Sequence, residues 1–407
     1  MPDDEKLAAV RELLPATGAG IYLNTGTAGP LPSETAKAMA DLAEWELRTG
    51  RADPAYEEET LVRMDEARGT IAAVIRAGVD DVALTHGTTD GLNIAAWSID
   101  WQAGDRLVTT NLEYPGVMAA LGSLVARQGV EIVAVEVDAS GDDGRTLAAF
   151  EQAMNGRTRL VLASHVAWST GQVLPVESIA GIARGHGAIA CIDGAQAAGA
   201  IPVDVAALGV DLYALPAQKW LLGPEGMGAL YCRPGLEDRV RPAFAGWLGM
   251  ADAGDPRAGL VTTARRFEAT NFHAPAVVGV ARSCGWLAMY VGLDWITDRA
   301  QSLARGAADL LSAIPGVEIL TPSDRMATIV TFRIAGWPAE DARRELGARV
   351  FAIVRRVRPL DAIRISTGFF NTAAEVARFC GAVEELAKWT PETLPARRRL
   401  SILGQDD

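Results

Sequence analysis

A single lysine and an aspartate follow two neighbouring apolar runs in the middle of the chain. Asp193 directly follows the run Ala188–Ile192, and Lys219 follows the run Val210–Leu215. No arginine or other lysine lies between Arg184 and Lys219, so the amine is not part of a solvated charged surface. An amine beside a carboxylate is what a Schiff-base cofactor with a pyridine nitrogen requires. An exposed lysine and a helix-capping aspartate are the simpler alternative, and other contacts must decide between them.

A second segment has the composition of a phosphate site. Gly87, Thr88 and Thr89 join a strand-like run to a helical pattern that Asp90 opens. Consecutive N–H groups at the start of a helix bind an anion such as a phosphate, although a capped helix without a ligand has the same pattern. No strand-like run is followed by G-x-G-x-x-G, which disfavours a dinucleotide.

Strand-like runs alternate with helical patterns from residue 81 to residue 232. This alternation predicts an α/β fold whose mostly parallel sheet is covered on both faces. Ligands of such sheets bind beyond the carboxyl ends of the strands, where we expect these segments to converge. The predicted strands are Asp81–Thr85, Arg106–Thr110, Glu131–Val137, Arg159–Ser164, Ala188–Ile192, Val210–Leu215 and Met227–Cys232. The helical patterns are Gly91–Ile99, Gly116–Arg127, Thr146–Met154 and Val176–His186.

The pattern changes in the C-terminal third of the chain. A helical stretch from Ala274 through Leu311 precedes mixed strands and helices, which predicts a smaller α+β domain. Its predicted elements are strands over Val317–Leu320, Ala327–Ile334, Arg349–Arg355 and Ala362–Ser366 and helices over Glu340–Leu346 and Thr372–Lys388. We divide the chain into an N-terminal segment (1–20), a large domain (21–260), a small C-terminal domain (261–395) and a tail (396–407).

Composition excludes several classes of function. The 407 residues are 49% hydrophobic and 22% charged, as in an ordinary globular protein. The formal net charge of −13 predicts no binding to nucleic acid, whose phosphates it would repel. An acidic N-terminus without a signal region, and the lack of an uninterrupted membrane-length apolar run, predict a cytoplasmic protein that does not bind membranes. Without C-x-x-C spacing, we expect buried free thiols and no metal site at Cys191, Cys232, Cys284 and Cys380.

Three motifs together resemble those of class V aminotransferases in order and spacing. They are the Gly87-Thr88-Thr89 turn, the segment Asp193-Gly-Ala-Gln196 and the segment Gln218-Lys219-Trp220. These fold-type I enzymes use pyridoxal 5′-phosphate (PLP) and include cysteine desulfurases, selenocysteine lyases and isopenicillin N epimerases. The resemblance, from about Tyr22 to Leu386, implies a PLP-binding large domain with a mostly parallel seven-stranded sheet.

The resemblance also implies roles for the residues that would bind the cofactor. Lys219 would form the Schiff base and move the proton at the substrate Cα, and Asp193 would pair with the pyridine nitrogen. Tyr114 would stack on the ring where desulfurases have a histidine, which completes the predicted catalytic set. The other predicted cofactor contacts are Gly87, Thr88, Thr89, Gln196 and Gln218, together with Thr270 reaching from the partner subunit of a homodimer.

At the substrate end, Arg364 matches the arginine that binds the α-carboxylate of an amino acid, which a guanidinium group can hold through two hydrogen bonds. Asn24 and Trp168 would border the substrate. Each assignment has a simpler alternative: Tyr114 and Trp168 could be core aromatics, Thr270 a helix cap and Arg364 a surface residue.

The chain departs from the desulfurases where they carry a nucleophilic cysteine. Residues 349–364 contain no cysteine and are too short for that loop, so we do not expect persulfide chemistry. Arg355, Arg356 and Arg358 in this region could meet a second acidic group, although a solvated strand end is the simpler interpretation. The remaining possibilities are an aminotransferase or C–S lyase acting on an L-amino acid, then an epimerase, and last a PLP-fold protein that binds without turnover.

Overall fold

The computed structural model describes residues 3–252 and 254–395, so the predicted tail (396–407) lies outside the described residues. The helices are α1 (Asp3–Glu12), α2 (Ser33–Thr49), α3 (Pro54–Ile75), α4 (Thr88–Trp97), α5 (Pro115–Gln128), α6 (Asp143–Ala153), α7 (Val176–Gly185), α8 (Ala274–Gly285), α9 (Leu293–Ser312), α10 (Ala339–Val350) and α11 (Ala373–Ala387). The strands are β1 (Ile21–Tyr22), β2 (Val82–Thr85), β3 (Arg106–Thr110), β4 (Glu131–Val135), β5 (Thr158–Ser164), β6 (Ile189–Asp193), β7 (Leu212–Pro216), β8 (Gly228–Cys232), β9 (Val317–Ile319), β10 (Ile329–Ile334), β11 (Ala352–Ile353), β12 (Arg355–Val357) and β13 (Ala362–Ser366).

Seven strands form one large sheet in the order β2-β8-β7-β6-β5-β3-β4. Neighbouring strands are parallel except at β8, which is antiparallel to β2 and β7. Every residue of β6, β7 and β8 is buried, because helices cover both faces of the sheet, and their sequences are therefore apolar throughout instead of alternating. The predicted α/β fold with a mostly parallel seven-stranded sheet is confirmed.

Helix α4 begins three residues earlier than the sequence pattern indicates, so Thr88 and Thr89 form its first turn. Asp90 is therefore the third residue of the helix and does not open it. Its carboxylate accepts a hydrogen bond from the backbone N–H of His86 at 2.8 Å. The preceding residue, Gly87, has φ 148° and ψ 177°. Essentially only glycine adopts this backbone conformation, so the abrupt entry into the helix requires a glycine there.

The smaller sheet has the antiparallel order β12-β13-β10-β9. The prediction of one strand over Arg349–Arg355 is wrong at its start, because α10 continues to Val350 and ends where Phe351 turns left-handed at φ 54°. Two short strands, β11 and β12, then take its place. Strand β1 pairs in parallel with β11, and Asn24 forms an isolated bridge with Ser366, so the N-terminal segment is joined to this C-terminal layer.

The long helical stretch predicted from Ala274 to Leu311 is two helices. A π-helical segment, Trp286–Val291, and Gly292 at φ 88° separate α8 from α9. The stretch Ala274–Val291 has the length and mean hydropathy (1.2) of a membrane-spanning helix, but 67% of it is buried inside the protein. It packs against α2 and α3, two helices that the sequence pattern did not assign, and shares an apolar core with the large sheet. The domain boundaries stay a prediction.

A fully buried ion pair connects helix α3 with the segment that follows β8, the last strand of the large sheet in chain order. Arg68 donates from Nε and Nη2 to the two carboxylate oxygens of Glu268, at 2.9 and 2.5 Å. Oxygen Oε1 of Glu268 also accepts the backbone N–H of Leu84 in β2 at 2.8 Å. The pair therefore fixes the backbone just before Thr270 against the edge of the sheet.

We expect Arg68→Met to lower the free energy of unfolding by about 3–5 kcal/mol, because it leaves the Glu268 carboxylate buried without its partner. Urea unfolding measures this change. Arg63→Met is the matched control: Arg63 lies on the same helix, but its pairs with Glu59 and Glu66 are solvent-exposed, so its loss should cost about 1 kcal/mol or less. Equal losses of unfolding free energy in the two variants would show that the buried pair contributes no more to stability than the exposed pairs.

Candidate active site

A cavity of about 320 Å³ lies at the carboxyl ends of the large sheet's strands, where the sequence places its motifs. Helix α4 forms one wall, and the arginines of β12 and β13 form another. Ten of the predicted site residues line this cavity: Gly87, Thr88, Thr89, Tyr114, Trp168, Asp193, Gln196, Gln218, Lys219 and Arg364.

Asp193 is the last residue of β6, in register with Ser164 of β5 and Ala214 of β7. Its Oδ1 accepts the backbone N–H of Ala195 at 2.8 Å, which aims the side chain from the end of the strand. Burial raises the pKa of Asp193, and the nearby charge of Lys219 opposes that rise. A carboxylate has more acceptor positions than this one bond uses, so Asp193 can also accept from a protonated pyridine nitrogen.

Lys219 is the cavity's only lysine among the chain's four, the others being Lys6, Lys37 and Lys388. It follows β7, in a turn that packs closely against the N-terminal segment. The N–H of Gly29 donates to the carbonyl of Gln218 at 2.7 Å, and a Cβ on Gly29 would lie 2.3 Å from the carbonyl oxygen of Lys219. Burial lowers the pKa of Lys219 to about 8, with Arg364 and Arg355 adding to the shift and Asp193 opposing it.

Two polar groups that line the cavity lack partners. The hydroxyl of Thr88, in the first turn of α4, and the amide oxygen of Gln218, which follows β7, are buried without a hydrogen-bond partner among the described residues. Buried polar groups are nearly always satisfied, so an unpaired hydroxyl at a helix N-terminus is consistent with a ligand that supplies the partner. A phosphate fits this position, with Gln218 presenting its amide N–H groups after a rotation of the amide plane.

Two aromatic rings form a third wall. Tyr114 and Trp168 meet edge to face, with ring centroids 5.4 Å apart and planes at 85°. The indole N–H of Trp168 donates to the carbonyl of Glu113 at 3.1 Å, which holds the ring in place. Tyr114 is 39% exposed, so it is not a core aromatic, and it can lie over a flat ligand in the cavity.

Two hydrogen bonds fix the side-chain amide group of Gln196. Its Nε2 donates to the carbonyl of Gly26 at 2.8 Å, and its Oε1 accepts from the indole N–H of Trp220 at 3.0 Å. One amide N–H remains for a ligand, which agrees with the predicted contact to the phenolic oxygen of the cofactor.

Arg364 is completely buried, so it is not a surface strand residue. Its Nη1 donates to the carbonyl of Trp168 at 2.7 Å and its Nη2 to the hydroxyl of Thr27 at 3.3 Å. Arg355 also lines the cavity and donates to the same hydroxyl at 3.1 Å. The simpler interpretation of a solvated strand end is therefore wrong for Arg355. That interpretation holds for its neighbours: Arg356 pairs with Asp361, and Arg358 is exposed.

Two predicted site residues lie outside the cavity. Asn24 stands behind Thr27 and accepts its hydroxyl hydrogen bond at 2.7 Å, so Thr27 borders the cavity instead. Thr270 is exposed and lines a separate, neighbouring cavity of about 520 Å³. Its predicted contact with a partner subunit's cofactor stays a prediction.

Sequence reasoning gave no role to two buried groups next to the cavity. Glu113 accepts hydrogen bonds from the hydroxyls of Thr110 and Ser164, both at 2.7 Å, and burial raises its pKa to about 7. His165 is buried against the hydroxyl of Tyr213, and burial lowers its pKa to about 4. The only sequence signal for them was their position after the ends of β3 and β5.

Comparison with known proteins gives consistent relatives. The family model for aminotransferase class-V matches residues 21–379. A probable cysteine desulfurase of Methanothermobacter thermautotrophicus is 27% identical over 395 residues, 93% of this chain and 97% of its own. An isopenicillin N epimerase of Streptomyces clavuligerus is 29% identical over 392 residues, 90% of this chain and 94% of its own. The solved complex of a cystine C–S lyase with cysteine persulfide has a TM-score of 0.87 at 25% identity, over 93% of this chain and 100% of the other.

The family match covers most of the chain and includes both the lysine-bearing turn and the arginine-bearing strand. The predicted cofactor is confirmed, because the enzymes of this family use PLP. The chain belongs to the aminotransferase class-V family of PLP-dependent enzymes.

Proposed function

We propose that this enzyme is a C–S lyase that acts on an L-amino acid carrying sulfur at Cβ, without forming a persulfide on the protein. The observation that carries the proposal is a cavity that combines Lys219, Asp193 and Arg364 but contains no thiol. Sulfur can then leave only with the product.

The four cysteines are all buried and unpaired, and none of them lines the cavity. Burial raises the pKa of Cys232 to about 11 and those of Cys284 and Cys380 to about 12, and it raises that of Cys191 as well. The nucleophilic form of cysteine is the thiolate, so none of these groups suits sulfur transfer at neutral pH. The similar solved structure of a cystine C–S lyase in complex with its reaction product, cysteine persulfide, supports the same outcome.

Different walls of the cavity would bind different parts of PLP. Lys219 would attach to its aldehyde carbon, Asp193 would pair with its ring nitrogen, and Tyr114 would lie over its ring face. Its phosphate would lie against Thr88, Thr89 and Gln218 at the start of α4. When bound, PLP supplies an electron sink that stabilises negative charge at the Cα of an amino acid.

Arg364 would orient the substrate by binding its α-carboxylate through two hydrogen bonds, which places the Cα–H bond near Lys219. The substrate amine would displace the amine of Lys219, which would then be free to take the Cα proton. The Cβ–S bond would break with its electron pair on sulfur, and the electrons left at Cα would form a Cα–Cβ double bond. Hydrolysis of the resulting enamine gives pyruvate and ammonia, and the sulfur leaves as a thiol or persulfide.

Epimerisation at Cα is the second candidate. It begins with the same proton removal but returns a proton to the opposite face of Cα, which needs a second acid. The phenol of Tyr114 lines the cavity and is such a group. The similarity to an isopenicillin N epimerase over nearly the whole chain favours this candidate over transamination.

The two candidates differ in what they release, and incubation of the holoenzyme in deuterated water with L-cystine, S-substituted cysteines and L-alanine separates them. A C–S lyase should release pyruvate and ammonia from the sulfur substrates in equal amounts. Formation of a D-isomer with deuterium at Cα and without pyruvate would indicate the epimerase. Formation of a keto acid without release of ammonia would indicate transamination. The absence of any exchange or product across the panel would contradict both proposals.

Attachment of PLP to the apoprotein should depend on pH in a defined direction. The neutral amine is the nucleophile, and its fraction rises as the pH increases through the Lys219 pKa of about 8. The attachment rate, followed by cofactor absorbance, should therefore rise from pH 7 to 9 and then level off. A rate still rising above pH 10 would indicate a lysine of ordinary pKa.

The same measurement has matched variants. Lys219→Ala should give no adduct after borohydride reduction and mass spectrometry. Lys37→Ala should behave like the wild type, because Lys37 is exposed on α2 and pairs with Asp41.

We also propose a cytoplasmic homodimer in which Thr270 reaches the partner's phosphate site. Thr270 is exposed beside a cavity whose rim includes Phe244, a large apolar side chain that is 76% exposed. Sedimentation should give twice the chain mass of 43.0 kDa, and Thr270→Ala should weaken PLP retention without dissociating the dimer. A monomer that retains PLP fully would contradict this arrangement.

A further inference from the structure

A tight turn that follows β5 carries Trp168 to the cavity. The N–H of Ala167 donates to the carbonyl of Gln172, and the N–H of Gly171 donates to the carbonyl of Ala167, both at 2.8 Å. Residues 167–172, called here the Trp168 turn, therefore form a closed loop, and the Trp168 ring lines the cavity from it.

Three successive carbonyls of the Trp168 turn accept hydrogen bonds from side chains of the C-terminal layer. The donor and acceptor pairs are Arg364 Nη1 with Trp168 at 2.7 Å, the Thr331 hydroxyl with Ser169 at 2.7 Å, and the Thr321 hydroxyl with Thr170. The position of the turn is therefore set by the C-terminal layer as well as by the strand that precedes it.

Thr331 is the middle one of these three donors and connects the other two. It is the cross-strand partner of Arg364 in the antiparallel register of β10 with β13. Directly opposed side chains of such a pair lie on the same face of the sheet. The backbone N–H of Thr331 donates to the hydroxyl of Thr321 at 2.9 Å. Both Thr331 and Arg364 are completely buried.

The backbone of the Trp168 turn lies directly against β10. Gly171 has φ 79°, and a Cβ at this position would lie 2.6 Å from the carbonyl oxygen of Ile329. The left-handed backbone and the lack of space both favour glycine there. This close approach lets a side chain as short as that of Thr331 reach the carbonyl of Ser169.

The direction of the Arg364 guanidinium group depends on the same turn. Its hydrogen-bond acceptors among the described residues are the carbonyl of Trp168 at 2.7 Å and the hydroxyl of Thr27 at 3.3 Å. The bond to the Trp168 carbonyl is the shorter one, so a shift of that carbonyl would rotate the guanidinium plane. Binding of a carboxylate through two parallel hydrogen bonds depends on the orientation of that plane.

We propose that Thr331 is a positioning residue for the α-carboxylate of the substrate. Its hydroxyl holds the carbonyl of Ser169, which fixes the neighbouring carbonyl of Trp168 and, through it, the guanidinium group of Arg364. This inference rests on the proposed binding of the α-carboxylate by Arg364. Thr331 itself does not line the cavity, so its effect is transmitted through the turn.

Calorimetric titration of the holoenzyme with butyrate and with butyramide tests this role. The two ligands have the same carbon chain, neither has an amine that could react with the cofactor, and only butyrate is charged. The wild-type protein should bind butyrate at least about tenfold more tightly, as expected for a charge-assisted pairing.

Thr331→Val keeps the shape of the side chain and removes its hydroxyl. It should lower the affinity for butyrate by about fivefold or more and leave that for butyramide within about twofold of wild type, because only the carboxylate needs an aligned guanidinium group. Thr331→Ser keeps the hydroxyl and should restore butyrate affinity.

Thr328→Val is the matched control. Thr328 is as deeply buried and directly precedes β10, but its hydroxyl has no hydrogen-bond partner among the described residues. Its loss should change neither affinity. Thermal unfolding of each variant checks that the fold is intact. If Thr331→Val does not fold, Thr321→Val carries the test, because it removes the next donor to the turn and should also weaken butyrate selectively.

Weakening of both ligands by the same factor, or of neither, would overturn the positioning role. This failure is distinguishable from failure of the proposed lyase function. Release of pyruvate from sulfur substrates, with a butyrate preference that does not depend on Thr331, would overturn only this inference. A preference that Thr331→Val removes, without turnover of any amino acid, would overturn only the reaction.

Discussion

The site depends on keeping an amine and a carboxylate charged at the same desolvated edge of a sheet. Burial alone would raise the pKa of Asp193 and lower that of Lys219, and each residue's charge opposes the shift of the other. This compensation requires strands β6 and β7 to be neighbours, since Asp193 is the last residue of β6 and Lys219 follows the end of β7. The continuous apolar strands, the helices on both faces and the Gly29 contact behind Lys219 all maintain that arrangement.

The features of the fold and the site that could be predicted from sequence are those that depend on residues close together in the chain. The seven strands and the convergence of Gly87, Asp193 and Lys219 were predicted, because apolar runs and the strand-end rule depend on local sequence and on the parallel topology. The break between α8 and α9 was missed, since the π-helical segment is as apolar as the helices around it. Helices α2 and α3 were not assigned.

The side of the cavity formed by Arg355, Arg364 and Thr27 could not be predicted from local sequence alone. Arg364 was found through its family motif, but Arg355 was left as a solvated strand end because nothing near it in sequence shows that it faces Arg364. Thr27, more than 320 positions from either arginine, bonds to both, and it took a place expected for Asn24. Such contacts are set by the pairing of β12 with β13 and by the bridge between Asn24 and Ser366.

The attachment of the N-terminal segment has a mechanical consequence. Asn24 is bonded to the C-terminal layer, whereas Gly29, five residues later, is bonded to the turn of Lys219. The cavity itself adds two further connections between the layers, since Gly26 accepts from Gln196 and Arg364 donates to the carbonyl of Trp168. A displacement of the small sheet relative to the large one would therefore have to break bonds that line the cavity, and it would change the distance between Arg364 and Lys219.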